Sequence, residues 1–351
     1  MVRRFTVPAP ILISPARARA ARPCAADGRQ HKPRRHAATG DPVHAPGRDA
    51  ARSPYARWVL TAVRVICWRA FPIQGRRDTV AMDERLISDR FPRASDYHPE
   101  WVLASVSGAA NPLWMTEWLA EALSLKPGMR VLDLGCGRAM SSIFLCREFG
   151  VQVWATDLWF SASENLARIR DAGVADGVFP IHADARELPF AAVFFDAVIS
   201  IDSYFYYGTD DLYLSYLARF VKPGGPIGIA GAGLMREMDD PIPAHLREWW
   251  TMDQPWCLHS AAWWQRHWGR TGILEVEVAD TLADGWRLWL DWLRLVAPEN
   301  MTEIRALEAD AGRHVGYVRV VGRRRADMQL AEPVVSVPME YVKKPLLRGS
   351  E

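Results

Sequence analysis

Four aspartates close four apolar runs within one stretch of the chain: Asp133 in VLDLGCG (131–137), Asp157 in VQVWATD (151–157), Asp184 in GVFPIHAD (177–184) and Asp202 in FFDAVISID (194–202). A carboxylate in such a position can accept hydrogen bonds from hydroxyl or amino groups, or take a proton from a reacting group. In the first run Gly135-Cys136-Gly137 follows the aspartate directly, and its glycines permit a tight turn and close approach of a ligand to the backbone. A helix expected from about Arg138 aims its free amide groups at that ligand. Asp157, in the second run, suits the two hydroxyls of a ribose, and Asp184 suits the amino group of an adenine. The turn is GxG with Met at 140, not GxGxxG, and no P-loop lysine follows, so dinucleotide and P-loop chemistry are disfavoured.

Such residues need a scaffold that brings strand ends together. The apolar runs, with PIGIAGAG (226–233), read as five strands separated by helices, which implies right-handed parallel crossovers and a doubly wound α/β sheet covered on both faces. ILEVEVADT (273–281) and GYVRVVGR (316–323) add two strands and make the sheet seven-stranded. NPLWMTEWLAEALSL (111–125) reads as an amphipathic helix, and the spacing of Ser161 and Glu164 as a capping box. Nine of the sixteen tryptophans lie at 249, 250, 256, 263, 264, 268, 286, 289 and 292. That density predicts a Trp-rich helical lid from insertions at about 234–270 and 282–312, mostly core, with a minority lining the pocket.

With these runs in view the chain resembles the class I S-adenosylmethionine-dependent methyltransferases, in particular the small-molecule group with a type-11 methyltransferase domain. VLDLGCG, Asp157, HADARELPF (182–190), FFDAVISID and FVKPGGPIGI (220–229) carry the resemblance, which covers about residues 95–323. It implies a mostly parallel, Rossmann-like sheet whose last strand is antiparallel, and S-adenosyl-L-methionine as cofactor. It also implies that Gly135, Cys136 and Gly137 lie against the methionine part, with Asp133 orienting the turn, and that the backbone at Ser200 and Ile201 receives the ammonium. Asp157 with Leu158 then holds the ribose end, and Asp184 with the backbone of Ala185 holds the adenine. Ala139 departs from the pattern, since many members carry a third glycine there.

Methyl transfer needs alignment and exclusion of water more than catalytic groups. If the acceptor must lose a proton, the candidate bases are Asp202, Tyr206, Tyr207 and His259. Asp202 beside Tyr204, Tyr206 and Tyr207 makes an amine acceptor attractive. Methylene transfer to a lipid, as in cyclopropane fatty-acid synthases, and a non-catalytic cofactor-binding protein are the alternatives.

Composition narrows the partners. Residues 1–77 carry 16 basic and 3 acidic side chains, a balance of +13; the whole chain is +2, which leaves 78–351 at −11. That acidic body, and the absence of an Asp/Asn-Pro-Pro-aromatic turn after the fourth strand, disfavour nucleic acid and favour a small-molecule substrate. No apolar run is long enough for a membrane span. Five scattered cysteines read as reduced thiols of a cytoplasmic protein. His182 and His259 lack ligand-like neighbours, so no metal is expected. Residues 1–81 read as a disordered Arg/Pro/Ala-rich leader with Met82 as the working start, 82–323 as the methyltransferase domain and 324–351 as a tail.

Overall fold

Branched apolar residues bounded by turns form strands β1 (Arg130–Leu134), β2 (Gln152–Asp157), β3 (Val178–His182), β4 (Ala197–Ile201), β5 (Pro226–Leu234), β6 (Leu274–Thr281) and β7 (Val315–Arg324). The structure, a computed structural model, describes residues 85–330 except 109, 239–240, 253–256 and 329. The expected leader, most of the tail and Trp256 lie outside the described residues.

All seven strands join one sheet in the order β3-β2-β1-β4-β5-β7-β6. Strands β1 to β5 run parallel, and β7 is antiparallel to both its neighbours. The order reverses between β1 and β4, so a crevice opens beyond the carboxyl ends of those strands. Register holds the ends level, pairing Leu134 with Thr156 and Asp157 with His182.

Alternation along the strands sends side chains to opposite faces. Val131 joins one apolar cluster and Leu132 and Leu134 the other. The Val131 face is covered by α3 (Pro112–Ala120), α4 (Met140–Phe149), α9 (Gly285–Val296) and α10 (Met301–Asp310). The Leu132 face is covered by α6 (Tyr213–Ala218) and α8 (Ala261–Gly269). The remaining helices are α1 (Pro92–Ser95), α2 (Pro99–Ala104), α5 (Ala162–Asp171) and α7 (Arg247–Met252). The chemistry of the starts is local: Asn111 accepts amide hydrogen bonds from Leu113 and Trp114 with Pro112 in the first turn, and Ser161 with Glu164 completes both halves of a capping box. Helix α3 ends at Ala120, five residues before the expected end.

Two expectations are corrected here. No helix joins β3 to β4; instead Phe190, Phe194 and Phe195 pack with Trp154 of β2, its ring 5.0 Å from that of Phe194, and this aromatic cluster covers the sheet where a helix would. Among the described residues, the tryptophans counted toward a lid do not line the cavity in that crevice. Trp264 and Trp268 sit in the Leu132-face cluster and Trp249, Trp289 and Trp292 in the other, because β6 and β7 extend the sheet and the helices above and below them need large apolar faces. Among the described residues, no helix is long and apolar enough to cross a membrane.

Candidate active site

At the crevice lies a cavity of about 640 Å³, within the range of small-molecule sites. It is bounded by the turn after β1, the ends of β2 and β4, the segments following β3 and β4, and the segment that enters α3.

The turn is made by its glycines. Gly135 has φ +76° and Gly137 φ +55°. A Cβ on Gly135 would stand 2.0 Å from Ser203 Oγ, and one on Gly137 2.2 Å from Ser107 Oγ. Gly135 and Cys136 donate their amides to the Thr156 carbonyl at 2.8 and 3.1 Å, and Gly137 donates to Asp157 Oδ2 at 2.8 Å. Helix α4 begins at Met140, with Ala139 before it left-handed at φ +61°. This conformation is cheap for glycine and costs an alanine about 1 kcal/mol.

Asp133 does not line the cavity. It is fully buried, and its Oδ2 accepts the hydroxyls of Ser141 and Ser142 at 2.5 and 2.6 Å, which ties the end of β1 to the first turn of α4. Its Oδ1 has no hydrogen-bond partner. Burial pushes its carboxyl up to about 6 against the pull of the two serines. The folded chain therefore holds this proton more tightly than the unfolded one. The stability it contributes is complete below the unfolded value near 3.8 and is lost as pH rises through about 6, a swing of about 3 kcal/mol. Asp133→Asn should remove that loss: between about pH 4 and pH 7 the urea unfolding free energy of the wild type falls relative to that of the variant. Parallel curves would contradict the assignment.

Asp157 lines the cavity and anchors its wall. Beyond Gly137, it accepts the amides of Trp159 and Phe160 on Oδ1 at 2.7 and 2.9 Å. Burial raises its carboxyl above the usual range even though three amides oppose this. Leu158 follows, exposed at the cavity edge. Asp184 lines the cavity half-buried, its carboxylate gripped by the Arg186 guanidinium at 2.9 and 2.5 Å, which holds its carboxyl below the usual carboxylate range. Ala185 lines the same wall, and its carbonyl accepts the Tyr213 hydroxyl at 3.0 Å.

At β4 the expected residues divide. Ile201 lines the cavity, whereas Ser200 is buried outside the lining with its hydroxyl donated to the Leu134 carbonyl at 2.7 Å. Asp202 lines the cavity in a left-handed conformation, φ +50°. Its Oδ1 accepts the Ala232 amide at 3.1 Å and its Oδ2 the Ala110 amide at 3.2 Å. Burial raises its carboxyl, with those two amides pulling the other way. Tyr207 lines the cavity half-buried, its hydroxyl 3.3 and 3.2 Å from those of Ser200 and Ser203, and desolvation holds it well above the usual phenol range. Tyr206 stands at the rim, 42% exposed, its ring centroid 6.2 Å from that of Trp159.

His259 is a correction. It stacks on Trp263 at 3.7 Å, its Nδ1 lies 3.0 Å from Glu237, and it does not line the cavity. The carbonyl of His259 accepts the Leu234 amide, which fixes this residue beside the end of β5, at the entry to α8. None of the tryptophans counted toward a lid lines the cavity among the described residues; Trp159 does. Reading strand ends alone misses Trp159, Phe160 and the wall made by Ser107, Gly108 and Ala110. A tryptophan two residues after a strand-end aspartate was the available signal for Trp159; the other wall arrives from a distant part of the sequence.

Residues 131–225 match a family model described as a methyltransferase domain. The chain is 34% identical over 127 residues to the methyltransferase GfsG of Streptomyces halstedii, which is 36% of this chain and 46% of that protein. It is 34% identical over 142 residues to the ubiquinone/menaquinone biosynthesis C-methyltransferase UbiE of Vibrio campbellii, 39% of this chain and 51% of that protein. The chain thus spans about half the length of these curated relatives. Among solved structures, geranyl diphosphate C-methyltransferase of Streptomyces coelicolor A3(2) shares the fold, with a TM-score of 0.55 at 17% identity over 78% of this chain and 99% of that one. Sequence match and strand order agree: residues 131–225 match a methyltransferase domain, and the chain is similar to the class I S-adenosylmethionine-dependent methyltransferases.

Proposed function

We propose that the protein transfers a methyl group from S-adenosylmethionine to a small, largely apolar acceptor at the rim of the cavity. One observation carries this reading: the cavity is acidic within and apolar at its mouth. Asp157, Asp184, Asp202 and Asp210 line it against one basic side chain, Arg186, which suits a cofactor of net positive charge. Leu158, Trp159, Tyr206 and Leu212 at the same cavity are 43%, 45%, 42% and 75% exposed, apolar surface of the kind that marks a binding site.

The residues fit the cofactor. Gly135 and Gly137 present no side chain to the cavity, and a carboxylate has about four acceptor positions, so Asp157 retains capacity for a ribose hydroxyl after its three amides. In this reading Asp157 and Leu158 hold the ribose end, Asp184 and Ala185 the adenine, and Gly135, Cys136, Gly137 and Ile201 surround the methionine part. When bound, the cofactor supplies an electrophilic methyl on a sulfonium. The protein's share is alignment, a dry wall and, for a hydroxyl acceptor, removal of a proton. Asp202 is the proposed base, since burial raises its proton affinity and its carboxylate keeps lone pairs beyond the two amides. Tyr207 stays protonated and braces the turn through Ser200 and Ser203.

An amine acceptor is the weaker alternative. The ammonium cage it invoked loses Tyr204, which is buried between Trp264 and Trp268. The apolar rim, together with a relative named as a ubiquinone/menaquinone biosynthesis C-methyltransferase, supports oxygen or carbon acceptors instead.

Incubation of the full chain with methyl-deuterated cofactor and pools of phenols, carboxylic acids, enols and amines tests the proposal. Products from the first three classes that retain all three deuterons are expected. Turnover of amines alone, or loss of one deuteron as methylene transfer requires, overturns it. Asp202→Asn should lower kcat by about 100-fold or more with a hydroxyl acceptor while the cofactor Kd moves little. The wild-type rate should rise with pH as Asp202 loses its proton, and a variant with an unchanged pH profile would contradict its role.

A further inference from the structure

His245, Asp310 and His314 converge away from the cavity, and none of them lines it. Asp310 closes α10, His314 follows four residues later just before β7, and His245 comes from the segment preceding α7, 65 residues before Asp310. We propose that these three side chains form a binding site for a divalent zinc-type cation that clips the segment before α7 to the start of β7.

The geometry is that of a three-ligand site with an open position. One ligand atom from each of His245, Asp310 and His314 lies within 4.8 Å of the other two. Both imidazoles now point at the same oxygen, Asp310 Oδ1, at 2.9 and 2.7 Å. A tetrahedral zinc ion with bonds of about 2.0–2.2 Å holds its ligands roughly 3.3–3.6 Å apart, so the imidazoles must part from Asp310 by about half an ångström or slightly more to admit it. Binding would replace the two hydrogen bonds with metal bonds. The nitrogen–oxygen set suits zinc and its first-row neighbours better than calcium or magnesium.

The surroundings hold the ligands in place. Asp310 is fully buried, and its second oxygen accepts the amides of His314 and Val315 at 2.8 and 3.1 Å, an outer layer that orients the carboxylate. The His314 carbonyl accepts the Met235 amide at 2.8 Å, fixing the third ligand beside the end of β5. The side chains of His245 and His314 are 23% and 14% exposed, which leaves an entry path and a place for a water ligand. Sequence spacing hides the site, because only the fold brings His245 to the other two.

The test uses the full chain stripped with chelator and titrated with Zn(II) or with Co(II) alone. One equivalent of Zn(II) should raise Tm by several degrees, and Co(II) should give the visible bands of a nitrogen–oxygen site, both reversed by chelator. His245→Gln and His314→Gln should weaken binding at least about tenfold. Asp310→Asn should do the same, and if that buried change prevents folding, the two histidine variants decide. No saturable binding, or Co(II) bands that survive both histidine changes, would overturn the site and leave the cluster as two imidazoles hydrogen-bonded to a carboxylate.

Discussion

Asp157→Ala is expected to weaken S-adenosylmethionine binding by about 10- to 100-fold, with a smaller loss of stability. Two contributions add. In the proposed complex the carboxylate accepts a ribose hydroxyl at its remaining acceptor position, and a hydrogen bond to a charged acceptor is worth about 1.5–3 kcal/mol, one to two decades of affinity. The same carboxylate gathers the amides of Gly137, Trp159 and Phe160, so its removal also frees both the turn after β1 and the segment after β2. Calorimetric titration of the variant, with unfolding followed in parallel, checks the prediction. Unchanged affinity in a folded variant would sink the ribose assignment. A loss of stability without a loss of affinity would limit Asp157 to bracing the loops.

Gly135→Ala should have the second large effect, for a steric reason. The new Cβ would stand 2.0 Å from Ser203 Oγ and 2.5 Å from Ser203 Cβ, on a backbone held at φ +76°. Overpacking and the left-handed backbone together cost about 2–4 kcal/mol, and the turn can relax only by moving. Cofactor affinity is expected to fall by about tenfold or more, with Tm lowered. The double variant Gly135→Ala/Ser203→Gly removes the collision but not the backbone cost, so it should recover part of both losses. A double variant no better than the single one would show that the conformation, not Ser203, sets the requirement for glycine.

The seven strands were legible because their apolar runs are short, branched and bounded by turn residues, and all seven fall where those runs stand. The strand-end carboxylates Asp157, Asp184 and Asp202 were legible for the same reason, since parallel strands deliver their carboxyl ends to one crevice. What the sequence hid depends on packing between distant segments. Ser107 and Ala110 precede a helix by only a few residues, and nothing local announces that they face Gly137 and Asp202. His259 was misplaced because its sequence position does not reveal that its ring turns to Trp263 and Glu237. The tryptophans misled by their density: indoles crowd wherever helices must cover a broad sheet, and here they serve β6 and β7 on both faces. The missing helix between β3 and β4 shows the converse, with phenylalanines from a loop covering the sheet.

The most direct measurement is a crystal structure of the full chain with S-adenosylhomocysteine. A ribose hydroxyl on the Asp157 carboxylate, adenine between Leu158 and the Asp184–Ala185 wall, and the sulfur facing Asp202 across the cavity are the predicted result. A nucleoside lodged elsewhere, or bound with Asp157 still committed only to its three backbone amides, would contradict it.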